Sequence, residues 1–206
     1  MAILFDDEAG WAMTRGVKPH NELPYGRVVR DWHRAFWQRN IPVEVVPPWA
    51  DLASYEPSSS PPFLSDDGLT QRVTKAAEAG ATVVVTFLSG IVDPTSRVRL
   101  GGYPGAFRDL LGVRAQEVRV LGPGESFRLD NGWGGTDWTE DLIIDEAEVI
   151  ASYMGSERGE CPAVTMRTLA SGGRAIYVSG LLDSESIDAL GGLVLAADQA
   201  WPEGLE

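Results

Sequence analysis

The sequence predicts one α/β domain over residues 1–206, with a mostly parallel sheet and an antiparallel β appendage. Three observations predict it. Val83-Val84-Val85-Thr86-Phe87-Leu88 is a short, β-branched apolar run, the habit of a strand buried on both faces of a parallel sheet. Up to Gly112, strand-like runs alternate with stretches of helical periodicity, which makes residues 1–112 a set of βα units. From Val113 the rhythm changes to short alternating runs split by glycine turns, so 113–206 reads as a β-rich insert followed by a closing strand and helix.

In chain order, Ala2 to Phe5 is a first strand that stops at the acidic turn Asp6-Asp7-Glu8, and a loop carrying Trp11 follows. A helix spans about Pro24 to Arg39. Val28, Val29, Trp32, Ala35 and Phe36 form its buried stripe, and Asn40 closes it. Ile41 to Val46 is the second strand. A βα rhythm places a third strand at 55–64, but Pro57-Ser58-Ser59-Ser60-Pro61 is poor strand material and reads as a loop. Ser65 or Asp66 caps a helix that carries Leu69, Val73, Ala76 and Ala77 and ends at Gly80. The apolar strand at 83–88 opens into a long charged loop, and Gly101-Gly102-Tyr103-Pro104-Gly105 turns it into a short helix with Pro104 at its first position. Val113 to Leu121, Ser126 to Leu129, Asp141 to Ile144 and Ala147 to Tyr153 follow as strands. Ala163 to Leu169 and Arg174 to Val178 form a hairpin, and Asp183 or Ser184 caps the last helix.

The net charge of −13 argues against a nucleic-acid backbone or an anionic membrane as partner, because both need clustered Lys and Arg. The lone Cys161 excludes a disulfide framework and a Cys-based zinc site. The first residues lack a basic n-region and no stretch is long enough to span a bilayer, so a cytoplasmic protein is expected.

No catalytic, cofactor or metal constellation stands out. An amidotransferase elbow needs a Cys where Leu88-Ser89-Gly90 stands, and a serine hydrolase needs Gly-x-Ser-x-Gly. Only two histidines are available: His33 reads as a helix-surface residue beside Trp32 and His20 lies in a loop, so neither reads as catalytic. The glycine turns at 101–105, 122–124 and 132–135 lack the dinucleotide spacing or the following helix that holds a phosphate. The acids Asp93, Asp137, Glu140, Asp141, Asp145, Glu146 and Glu148 read as an acidic surface rather than a glycosidase pair in a rigid frame. Trp11, Trp49, Trp133 and Trp138 read as loop aromatics, the residue type that anchors protein interfaces and also stacks on sugars.

Phe5-Asp6 with Trp11, the run Arg30 to Trp37, Ile41-Pro42-Val43 with Asp51-Leu52, and Val84 to Asp93 together resemble the middle domain of family 42 glycoside hydrolases, the β-galactosidases. Arg99-Leu100-Gly101-Gly102-Tyr103-Pro104-Gly105, Trp138-x-Glu140-Asp141, Pro162 to Thr165 and Gly173 to Val178 carry the same resemblance. It implies a flavodoxin-like, class I glutamine amidotransferase-like three-layer fold without that activity. It also implies a non-catalytic scaffold that helps a catalytic barrel and neighbouring subunits form a trimer. The family's catalytic glutamates belong to the barrel, so none is carried over, and no cofactor or metal is expected. The sequence departs from the family at 57–61, where an apolar third strand is usual. The expected contacts are Trp11, Asp93, Arg97, Arg99, Gly101, Gly102, Tyr103, Pro104, Trp133 and Trp138. A stand-alone sugar- or metabolite-binding module using the same strand-end cleft is the alternative, and a decayed amidotransferase a third.

Overall fold

Alternation along the strands builds this structure, because successive side chains must enter two different cores. The structure is a computed structural model that describes residues 1–14, 23, 25–53, 55, 58–60, 67–93, 95, 97–155 and 161–198. The elements in order are β1 (Ala2–Leu4), α1 (Asp7–Thr14), α2 (Tyr25–Trp37), β2 (Glu44–Val46), β3 (Ser58–Ser60), α3 (Asp67–Glu78) and β4 (Thr82–Thr86). A 3₁₀ turn at Gly105–Phe107 leads into α4 (Arg108–Leu111). Then come β5 (Val113–Val120), β6 (Ser126–Arg128), β7 (Gly134–Thr136), β8 (Trp138–Ile144), β9 (Glu148–Tyr153), β10 (Cys161–Thr168), β11 (Arg174–Val178), β12 (Leu181–Leu182) and α5 (Ser184–Asp198).

The main sheet has the order β2-β1-β3-β4-β11-β10-β9. It is parallel from β2 through β11, and β10 and β9 are antiparallel additions at one side. Ile3, Val84, Ile176 and Val178 face a core shared with α2 and α5. Ala2, Leu4, Val83, Val85, Ala175 and Tyr177 face a second core with α3, α4 and the β5–β8 ribbon. The sheet is therefore covered on both faces, as its near-continuous apolar central strand requires. A third, small sheet runs β12-β7-β6.

Several elements follow the sequence closely. The stripe Val28, Val29, Trp32, Ala35 and Phe36 is buried. Asn40 takes the left-handed conformation (φ 58). Its N–H donates to Trp37 O at 3.0 Å, and the Ile41 N–H donates to Phe36 O at 3.1 Å, the paired bonds of a Schellman ending. Asp183 caps α5, accepting from the Ser186 N–H at 2.8 Å. Arg39 Nη2 donates to Asp188 Oδ2 at 2.9 Å and ties α2 to α5.

Other expectations need correction. Ser58–Ser60 is a strand, not a loop, and it lies between β1 and β4. Ser59 pairs with Ile3 on one side and Val84 on the other. Ladders on both sides offer backbone partners here, and that outweighs the weak strand propensity of serine. The segment after β1 is a helix, not a loop. Asp6 caps α1 by accepting from the Glu8 N–H at 2.9 Å, and Asp7 and Glu8 lie in the first turn, where acids suit the helix dipole. The antiparallel part is only partly an appendage, because β9 and β10 extend the main sheet. Ile41 to Val43 stand outside β2. The helix starts after Pro104, not on it. His20 and the caps assigned to Ser65 or Asp66 lie outside the described residues.

The turn between β10 and β11 sits against the end of α3. A Cβ placed on Gly173 would fall 1.9 Å from Ala77 O and 3.1 Å from Ala81 O, both backbone atoms that cannot swing away. Gly173→Ala is therefore expected to cost at least about 2 kcal/mol in urea unfolding. Gly124→Ala meets open space and only a positive φ of 81°, and is expected to cost about 1 kcal/mol.

Candidate functional site

The carboxyl ends of the parallel strands gather the features singled out from the sequence. β4 runs into a wholly buried turn, Phe87 to Gly90, in which Leu88 has φ 62 and Gly90 φ 66. The Phe87 N–H donates to Val178 O at 2.8 Å, which fixes the turn to β11. From Gly90 the chain leaves as an arm, described at residues 91–93, 95 and 97–105, and returns to the same place, where the Ala106 N–H donates to Gly90 O at 3.2 Å.

The arm is held internally. Val92 and Val98 form an antiparallel bridge. Asp93 Oδ1 accepts from the Thr95 N–H (2.8 Å), Thr95 Oγ1 (2.7 Å) and the Arg97 N–H (2.9 Å). These bonds, that of Arg97 foremost, hold the Asp93 carboxyl below the usual carboxylate range. Gly101 (φ 98) and Gly102 (φ 92) then reverse the chain in a conformation that side chains resist. Tyr103 bridges to Ala115 of β5, and the Tyr103–Pro104 peptide is cis. Arg108 Nη1 donates to Gly101 O and secures the base of the arm to α4.

An open cavity of about 540 Å³ lies beside this base, lined by Arg108, Arg114, Arg167, Asp145 and Glu146. Its arginines are committed within the chain. Arg114 makes two bonds to Asp145 at 2.9 and 3.0 Å, and Arg167 donates to Glu146 and to the Asp109 carbonyl of α4. The cluster is a buttress between α4, the ribbon and β10.

The residues expected as contacts do not all reach the surface. Arg97 is exposed and Arg99 half-buried, with Arg99 Nε donating to Val92 O at 3.3 Å. Pro104 is buried. Trp11 is 66% exposed, on α1 rather than in a loop. Trp133 is half-buried against the core shared with α2 and α5. Trp138 is corrected outright: it begins β8, is only 1% exposed, and stacks on Phe87 at 5.8 Å. Sequence reasoning passed over the most prominent apolar groups of the arm, Leu100 (94% exposed) and Val98 (57%). The alternation Arg97-Val98-Arg99-Leu100 was the available signal, since on an extended arm it puts both apolar residues on one side.

Glu140 was also misjudged. It is no part of an acidic surface but is fully buried beneath the turn. Trp138 Nε1 donates to its Oε1 at 3.1 Å and Tyr177 Oη to its Oε2 at 2.5 Å, and the Leu88 N–H is a third donor. Three donors favour the carboxylate, yet desolvation is the larger effect, and burial pushes the carboxyl up to about 7. The Tyr177 hydroxyl is driven well above its ordinary range by burial and by the adjacent Glu140 charge.

The folded protein thus holds a proton on Glu140 over a range in which the unfolded chain has released it. This group's contribution is fullest below the ordinary glutamate range and is lost as pH rises toward about 7. Unfolding stability is expected to fall by roughly 3 kcal/mol from this source between about pH 5 and pH 8. Glu140→Gln should flatten that slope, as denaturant midpoints across the range would report.

A family model described as the β-galactosidase trimerisation domain matches residues 1–199. The chain is 36% identical to a β-galactosidase of Arthrobacter sp. over 202 residues, covering 98% of this chain and 29% of that protein. It is 35% identical to β-galactosidase BgaB of Geobacillus sp. over 195 residues, again 29% of the relative's length. The solved β-galactosidase of Rahnella sp. R3 superposes with a TM-score of 0.88 at 30% identity, over 98% of this chain and 31% of that one. The chain spans less than a third of the relatives it matches. With a match over nearly its whole length, and an α/β fold shared with those enzymes, the chain belongs to the β-galactosidase trimerisation domain family.

Proposed function

We propose that this segment serves as the non-catalytic assembly scaffold of a longer β-galactosidase. In this reading the parent enzyme hydrolyses terminal β-D-galactosides on a separate catalytic barrel, and three copies associate through segments like this one. The observation that carries the reading is the arm. It is stiffened by Asp93 and Arg108, yet it leaves Val98 and Leu100 exposed. Exposed apolar groups on a rigid support are what an interface needs, because little ordering is lost on association. The arm packs on the barrel or on a neighbouring subunit, and contacts that are not self-complementary close naturally into a ring.

The finer fold belongs to the same proposal. The order β2-β1-β3-β4-β11 follows the flavodoxin-like pattern, and the 206 residues act as one unit. The left-handed Leu88 stands where an amidotransferase-like elbow would carry its nucleophile, and leucine offers none. Such a scaffold works in the cytoplasm, and no described helix is long and apolar enough to cross a membrane.

Leu100→Asp in the full-length enzyme is expected to weaken assembly at least tenfold in sedimentation velocity, with the isolated segment inactive on a chromogenic galactoside. Turnover by the isolated chain, abolished by replacing one of its own acids, would overturn the scaffold reading. A second reading, a small-sugar module, draws on Trp11 and Trp49 (76% exposed), which follow β1 and β2 at the same sheet edge. Saturable quenching of tryptophan fluorescence by galactose would favour it.

A further inference from the structure

We propose that the Asn131–Gly132 turn between β6 and β7 modifies itself: the Gly132 nitrogen attacks the Asn131 side-chain amide, and loss of ammonia followed by uptake of water leaves aspartate or isoaspartate at 131. The change unclips the turn from β9.

Three features of the turn favour the reaction. Asn131 and Gly132 are both exposed, and Asn131 is the one asparagine of the sequence that a glycine follows. Gly132 has no side chain to shield its nitrogen, and the space where a Cβ would stand is open. The Trp133 N–H donates to Asn131 Oδ1 at 3.1 Å. That bond folds the amide along the Gly132 peptide and draws charge off Cγ. It is also in place to stabilise the oxygen that becomes negative when Cγ turns tetrahedral. One bond acts as a brake: the Gly132 N–H donates to Leu129 O at 3.0 Å and must open before the nitrogen gives up its proton. An exposed turn opens locally at little cost.

In the first step the bond from Gly132 N to Cγ forms and the Cγ–Nδ2 bond breaks. The Gly132 proton leaves with Nδ2 as ammonia, and a cyclic imide remains. In the second step solvent water adds to one imide carbonyl. Addition at Cγ gives aspartate. Addition at the main-chain carbonyl of residue 131 gives isoaspartate, whose backbone runs through Cβ and Cγ. No oxidant or reductant takes part.

The neighbours decide what the product does. Leu129 is fully buried, Trp133 packs on the core shared with α2 and α5, and the Leu129 N–H donates to Trp133 O at 2.7 Å across the turn. An extra backbone carbon between these fixed points breaks that closure. Asp130 grips β9: its N–H donates to Ser152 O and its Oδ1 accepts from the Ser152 N–H, both at 3.0 Å. Either product also sets a new carboxylate beside Asp130, in a chain whose net charge is already −13.

The test is incubation of the 206-residue chain for weeks at mildly alkaline pH, followed by peptide mapping with mass spectrometry. Residue 131 should gain the mass of OH over NH₂, in separable aspartate and isoaspartate forms, while Asn40, which Ile41 follows, stays intact. Conversion should run at no less than about a tenth of the rate in a free peptide of residues 128–136. Gly132→Ala, whose Cβ meets open space, should slow it at least about tenfold. Hydrogen exchange of the Asp130 and Ser152 amides should rise at least about tenfold in the converted chain, with 69–78 in α3 unchanged. Slower conversion than that, aspartate without isoaspartate, or an undiminished rate in Gly132→Ala would overturn the self-modification. Unchanged exchange at Asp130 and Ser152 after conversion would overturn the unclipping. If Gly132→Ala does not fold, the peptide comparison and the isoaspartate decide.

Discussion

One buried carboxyl holds the strand-end region together. Glu140 reaches from the β5–β8 ribbon to Tyr177 of β11, so this carboxyl joins two sheets that share no ladder. A lone acid in a core is costly unless its hydrogen-bonding capacity is met or its charge is withdrawn. This site does some of both, with donors around a carboxyl that burial pushes up to about 7. The stacking of Trp138 on Phe87 seals the same place with hydrocarbon.

On this base the arm makes structural sense. Asp93 satisfies the donors at its tip, Arg108 fastens its glycine corner, and the bridge of Tyr103 to Ala115 joins it to the ribbon. The arginine–acid cluster beside it spends its charges on α4, the ribbon and β10. Much of the polar capacity near the arm is thus used for rigidity, and the arm leaves the apolar pair Val98 and Leu100 exposed beside Arg97. That division of labour suits a domain whose family is named for assembly.

Much of the fold was legible because its signals are local. The stripe on α2, the Asn40 ending, the Asp183 cap and the Val83–Val85 run each declare themselves within a few residues. What stayed hidden depends on neighbours distant in the chain. Ser58–Ser60 becomes a strand only because β1 and β4 flank it, and β9 and β10 look like an appendage until β11 joins them to the sheet. Helix α1 is a different case, since Asp6 ahead of Asp7 and Glu8 is a local start signal that an acidic turn mimics. At the candidate site, the loop and its charged residues were legible. The burial of Trp138 and Glu140 was not, because their alternation on β8 does not say which face is covered.

The serine strand has a consequence of its own. Most sheets are most cohesive at the centre and fray at the margins. Here an interior position, between β1 and β4, is filled by Ser58–Ser60, residues of weak strand propensity. Its hold therefore falls to the peptide ladders with β1 and β4. A change that broke either ladder would therefore divide the parallel sheet in its interior rather than trim it at a margin.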